Sequence, residues 1–108
     1  MKTLFALALV AASLSWSSSG AAAEHRNVYP QGIHADKTRP CVFFYLKDVT
    51  QPDPAVPGAS VFAIARTHPA FAELFAMVMT SRATNVPMNV FTTGAEVCGQ
   101  AEVQLISF

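Results

Sequence analysis

Neither sign of charge predominates in this chain. Seven Lys and Arg side chains stand against seven Asp and Glu, and charged residues make up only 13% of the sequence. The basic residues form no cluster, so nucleic-acid binding through phosphate neutralisation has no electrostatic support. Cysteine is scarce, with only Cys41 and Cys98, and the three histidines, His25, His34 and His68, are scattered. That set matches no metal-ligand spacing, so no metal is expected, and no cofactor motif is present. No apolar run reaches the roughly twenty residues of a membrane-spanning helix, so no membrane span is expected.

What the first residues do contain is an export pattern. Lys2 gives a positive start, "LFALALVAASLSW" is a short apolar stretch, and "SSSGAAA" ends in the small residues Ala21, Ala22 and Ala23. The reading is a signal peptide over residues 1–23 and a single domain over 24–108, secreted or periplasmic. Without Lys2 the mature domain has six basic and seven acidic side chains. Its two cysteines are then in an oxidising compartment and most simply form one Cys41–Cys98 disulfide. The loop it would close is long, which makes the bridge worth about 4 kcal/mol by chain entropy.

The mature chain reads as strand-rich. "NVYPQGIH" (Asn27–His34) alternates and predicts a first strand, bulged or at an edge because of Pro30 and Gly32. "CVFFYLKD" is aromatic and apolar on both faces, the clearest strand in the chain. "VTQPDPAVPGAS" holds three of the seven prolines and predicts a long surface loop. "SVFAIAR" predicts a third strand. In "THPAFAELFAMVMTSRATN", Phe71, Leu74, Phe75, Val78 and Met79 repeat at helical spacing. Thr67 or His68 can cap this helix, with Pro69 in its first turn, Glu73 early, Arg82 late and Asn85 ending it. Ala70, Ala72, Ala76 and Met77 form a second, weaker apolar surface. Either a partner interface or the helix propensity of alanine accounts for it. "PMNVFTTG" and "AEVQLISF" predict two more strands with a turn at "GAEVCGQ".

Strand, strand, strand, helix, strand, strand is the chain order of an OB-fold, a partly open five-stranded Greek-key barrel. The expected class is therefore β-rich α+β, an OB-fold-like barrel with one helix between strands 3 and 4. The rival is an open sheet with one helix packed across it. The expected core is Phe43, Tyr45, Phe62, Ile64, Phe71, Leu74, Phe75, Val78, Val90, Val103 and Leu105.

The segment from "FAIARTHPAF" to "VCGQAEVQLISF" resembles the C-terminal half of bacterial AB5-toxin B subunits of the subtilase-cytotoxin and pertussis/typhoid-toxin type. It also resembles small uncharacterised secreted proteins related to them. The shared features are Phe71 near the helix start, an alanine-bearing helix, Pro87 and Val90 in a "P-x-x-V" strand, the "TTG" of Thr92–Gly94, a cysteine and a final apolar strand. The first strands match by order and by Cys41 alone. The resemblance implies an OB-fold, a homo-oligomer (a ring of five), recognition of cell-surface glycans, often sialylated, and no catalysis. In those subunits a serine near the first strand commonly contacts the sugar, whereas residues 24–40 here hold only Thr38.

No enzyme is expected. His34 and Asp36 share a strand face and His68 and Glu73 flank the helix start, but turn and capping roles account for all four, and no nucleophile stands with a base. A binding domain is the expected function, with an oligosaccharide as leading ligand and an interaction domain for an unknown protein partner as the alternative. Sugar sites combine aromatic faces with polar groups. The candidates are Tyr29, His34, Asp36 and Arg39 from the first strand and its turn, with Asn89, Phe91 and Thr92 after the helix. Arg39 is the natural fork for an acidic sugar.

Overall fold

A proline and a left-handed residue decide where the first strand breaks. The computed structural model describes residues 23–108; residues 1–22 of the expected export signal lie outside them. The elements are β1 (Ala23–Val28), β2 (Pro30–Ala35), β3 (Cys41–Leu46), β4 (Phe62–Ala65), α1 (Phe71–Thr84), β5 (Met88–Val97) and β6 (Gln100–Ser107). The single strand expected over Asn27–His34 is thus two. Asn27 takes φ 54°, Pro30 has no N–H to give, and the chain changes partner at Tyr29. β1 pairs antiparallel with β5, whereas β2 pairs antiparallel with β3.

The result is one six-stranded sheet in the order β1-β5-β6-β4-β3-β2, with β4 and β6 its parallel pair. β1 and β2 lie at opposite ends of that order. The expected partly open, five-stranded barrel is thus met only as a six-stranded sheet whose ladders do not close into a ring. β1 and β2 are consecutive in the chain, separated only by Tyr29, so the ends of the order are joined through the backbone and not by a ladder. The coarser expectation, a strand-rich α+β fold with a helix between the "SVFAIAR" and "PMNVFTTG" strands, is what the chain adopts.

The main core lies between the sheet and α1. It contains Phe44, Leu46, Phe62, Ile64, Leu74, Val78, Met88, Val90, Val103 and Ile106, with Phe71 and Met77 packed against it. β3 is covered on both faces, because Cys41 and Phe43 point the other way into a second cluster with Ala63, flanked by Val97 and Cys98. The expected disulfide is there: Cys41 at the start of β3 is bonded to Cys98, 57 residues on, with Cα atoms 6.6 Å apart.

Two expected core residues are exposed. Tyr45 follows Cys41 and Phe43 on their face, but the second cluster ends at Phe43, and the side chain is 43% exposed. Its ring lies across Gly32, where a Cβ would collide with it. Leu105 is also 43% exposed. The β5–β6 register advances one residue on β5 and two on β6 between Thr92↔Val103 and Phe91↔Leu105. That bulge at Gln104 resets the alternation, so Ile106 enters the core instead.

α1 begins later than its caps suggested. Ala70 is its N-cap with no side-chain cap bond, and the His68 ring accepts from the Ala70 N–H at 2.9 Å just outside the helix. The buried line is Leu74, Val78 and Ser81; Phe75 is half-buried and Met79 is exposed. Asn85 ends the helix in the left-handed region, as expected. β5 runs through the expected "TTG" turn, absorbing Gly94 at φ 87° in a register shift. The chain reverses at Cys98–Gly99, inside the expected "GAEVCGQ" turn, both with positive φ, the pattern of a type I′ hairpin.

The proline-bearing loop is not wholly at the surface. Pro52, Asp53, Val56 and Ala59 are buried. Asp53 is the tie. Its carboxylate accepts the Ala55 N–H and the Gly94 N–H, each at 3.0 Å, so it fastens the loop to the irregular part of β5. His25 on β1 adds a contact to the Pro52 carbonyl at 2.7 Å. Asp53→Asn turns an N–H₂ toward one of these donors. The expected cost is about 1–3 kcal/mol, read by urea denaturation with an unchanged m-value.

Candidate functional site

The segment that changes partner also opens a cleft. Tyr29 sits between β1 and β2, and its carbonyl accepts the Lys47 N–H at 2.9 Å, fixing the two residues across the end of the β2–β3 ladder. Pro30 opposes Leu46 and Gly32 opposes Tyr45 in that ladder. The Tyr45 ring, laid over Gly32, is thereby presented outward beside Tyr29 and Gln31. The end of α1 supplies the facing wall with Arg82 in its last turn and Asn85 at its C-cap. The cleft has a volume of about 580 Å³ and is lined by Tyr29, Pro30, Gln31, Tyr45, Lys47, Arg82 and Asn85.

Its electrostatics are one-sided. Lys47 and Arg82 both line it, no carboxylate does, and among the described residues neither cation forms a salt bridge. Two phenol rings offer apolar faces with hydroxyl edges, and Gln31 and Asn85 offer amides. Such a lining suits an anionic ligand that also carries an apolar face and several hydroxyl groups.

The sequence-derived candidates fall in three separate places. Tyr29 is in the cleft. His34, Asp36 and Arg39 gather beyond the other end of β2, around Phe43. The His34 ring stacks on Phe43 with centroids 5.0 Å apart, and the Arg39 guanidinium lies 4.5 Å from the Phe43 centroid. Asp36 accepts the Thr38 N–H at 2.8 Å and an Arg39 N–H at 3.2 Å. Its carboxyl is held below the usual value chiefly by the Thr38 hydroxyl and amide, and then by Arg39. Arg39 is therefore engaged inside its own turn. Asn89, Phe91 and Thr92 are on β5, opposite β1. Phe91 pairs with Glu24 and Thr92 with Ala23, and Arg26 lies over the Phe91 ring at 5.2 Å. Thr92 is fully buried, with no partner for its hydroxyl among the described residues. Asn89 accepts the Asn27 N–H at 3.0 Å.

Sequence reading missed Gln31, Tyr45, Lys47, Arg82 and Asn85. Tyr45 belongs to the expected core because its strand is apolar on both faces. Arg82 and Asn85 were fully accounted for by helix-end roles, which they do perform. No protein family matches this chain, and neither a curated protein nor a solved structure matches it.

Proposed function

We propose that the mature chain is a secreted or periplasmic, non-catalytic binding domain that holds an acidic oligosaccharide in the cleft between Tyr29 and Arg82. The observation that carries this reading is the lining itself: two tyrosine rings beside two cations that form no salt bridge among the described residues. The Cys41–Cys98 bridge supports an oxidising destination. Among the described residues no helix is long and apolar enough to cross a membrane.

An OB-fold-like barrel is the architecture we propose beneath it. Counting β1 and β2 as one bent strand leaves five, and the order then returns on itself, with the helix before β5. This order supports the resemblance to AB5-toxin B subunits, and with it glycan recognition and assembly of several copies. A second reading, docking of a protein partner, is favoured by the outward face of α1, where Ala72 and Ala76 are exposed beside Met79.

Calorimetric titration with 3′-sialyllactose and lactose separates the two readings. The sialylated sugar should bind about tenfold or more tighter than lactose, the size of one charge-assisted hydrogen-bond pair. Arg82→Gln should remove that preference, whereas Arg39→Ala, whose side chain is committed to Asp36, should leave it unchanged. No binding of either sugar by folded, disulfide-bonded protein would favour the protein-partner reading.

A further inference from the structure

The cleft does not end at Lys47. A second, smaller hollow of about 300 Å³ adjoins it, lined by Asn27, Val28, Tyr29, Lys47, Asp48 and Val49. Tyr29 and Lys47 line both hollows, and the 2.9 Å backbone bond between them makes a fixed waist. The two hollows differ in charge: the first is lined by two cations, the second by one, Lys47, together with Asp48. The first holds Lys47 and Arg82 and no carboxylate. The second holds the Asp48 carboxylate, which forms no salt bridge among the described residues. Of the four described non-glycine residues with positive φ, three line this groove: Asn27 (φ 54°) and Asp48 (φ 63°) in the second hollow and Asn85 (φ 56°) in the first. Asn27 and Asp48 both border the second hollow.

Resting on the saccharide reading above, we infer that the groove takes a linear saccharide in one orientation, and that Asp48 makes it selective for a single acidic unit. The acidic unit lies against Arg82 and Lys47. The next unit lies past the waist, where Asp48 accepts its hydroxyl groups. A second acidic unit there would meet the Asp48 carboxylate. Two like charges about 4 Å apart cost about 1 kcal/mol even at the dielectric of water, or roughly fivefold in affinity, and more where water is displaced. Asp48 is therefore a specificity-determining residue, distinct from the cations that supply the anchor.

The test compares three probes by titration calorimetry: N-acetylneuraminic acid, 3′-sialyllactose, and a disialyllactose whose two acidic units are adjacent. Each is titrated into wild type, Asp48→Asn and Arg82→Gln. Asparagine tolerates the left-handed backbone at position 48, so this variant keeps the fold. Wild type should bind 3′-sialyllactose more tightly than the free acid, and about fivefold or more tighter than the disialylated sugar. Asp48→Asn should bring the mono- and disialylated sugars to near equal affinity. Equal affinity for the free acid and 3′-sialyllactose would overturn the second subsite. A mono-to-disialyl ratio unchanged by Asp48→Asn would overturn the role of Asp48. In either case, binding lost in Arg82→Gln would leave the cleft reading standing. Binding of none of the three by wild type would remove the cleft reading and this inference together.

Discussion

Removing the disulfide by the double change Cys41→Ala and Cys98→Ser is expected to lower stability by about 4 kcal/mol. The two residues are 57 apart in sequence, so the bridge withdraws much of the loop-closure freedom of the unfolded chain. It also has a specific place in the fold. Cys98 sits at the reversal between β5 and β6, and Cys41 opens β3, so the bridge ties the last hairpin to the strand whose two faces fill both main clusters. A domain of this size has only about 5–15 kcal/mol in total. The thermal midpoint should therefore fall by roughly 15–30 °C. Far-ultraviolet circular dichroism on oxidised wild type and the double variant reads it directly, and a fall of only a few degrees would mean that the hairpin is held by packing alone.

Phe44→Ala should cost about 3–5 kcal/mol. Phe44 is fully buried, stacks on Phe62 with ring centroids 5.2 Å apart, and stands between Ile33 of β2 and Phe62 of β4. Its neighbour supplies the control. Tyr45→Ala lies on the exposed face and should change stability by no more than about 0.5–1 kcal/mol, although it removes one wall of the cleft. Comparable losses in the two variants would contradict the assignment of faces along β3.

Much of the fold was legible because it rests on period and on chain punctuation. The two-sided apolarity of "CVFFYL", the helix ended by Asn85, the lone cysteine pair and the order of elements all follow from local chemistry. What was not legible depends on registers between distant strands. A bulge at Gln104 exchanged Leu105 for Ile106, and the change of partner at Tyr29 split one expected strand into two. The same switch governs the site. Tyr29 was found as an aromatic in the right segment, but its companions come from the far end of β3 and the C-cap of α1, which no sequence spacing relates. Arg39, the sequence's best cation for an acidic sugar, is committed to Asp36 within one turn. Asp53, buried inside a proline-bearing loop, had no local signature that separated it from a solvated turn residue.

The most direct test of the central claim is an amide-resolved NMR titration of the disulfide-bonded protein with 3′-sialyllactose. The account predicts shifts concentrated at Tyr29, Gln31, Tyr45, Lys47, Arg82 and Asn85, extending to Asn27 and Asp48, with His34–Arg39 and Phe91 unmoved. Shifts centred on His34–Arg39 or on Phe91, or a spectrum that does not change at saturating sugar, would contradict it.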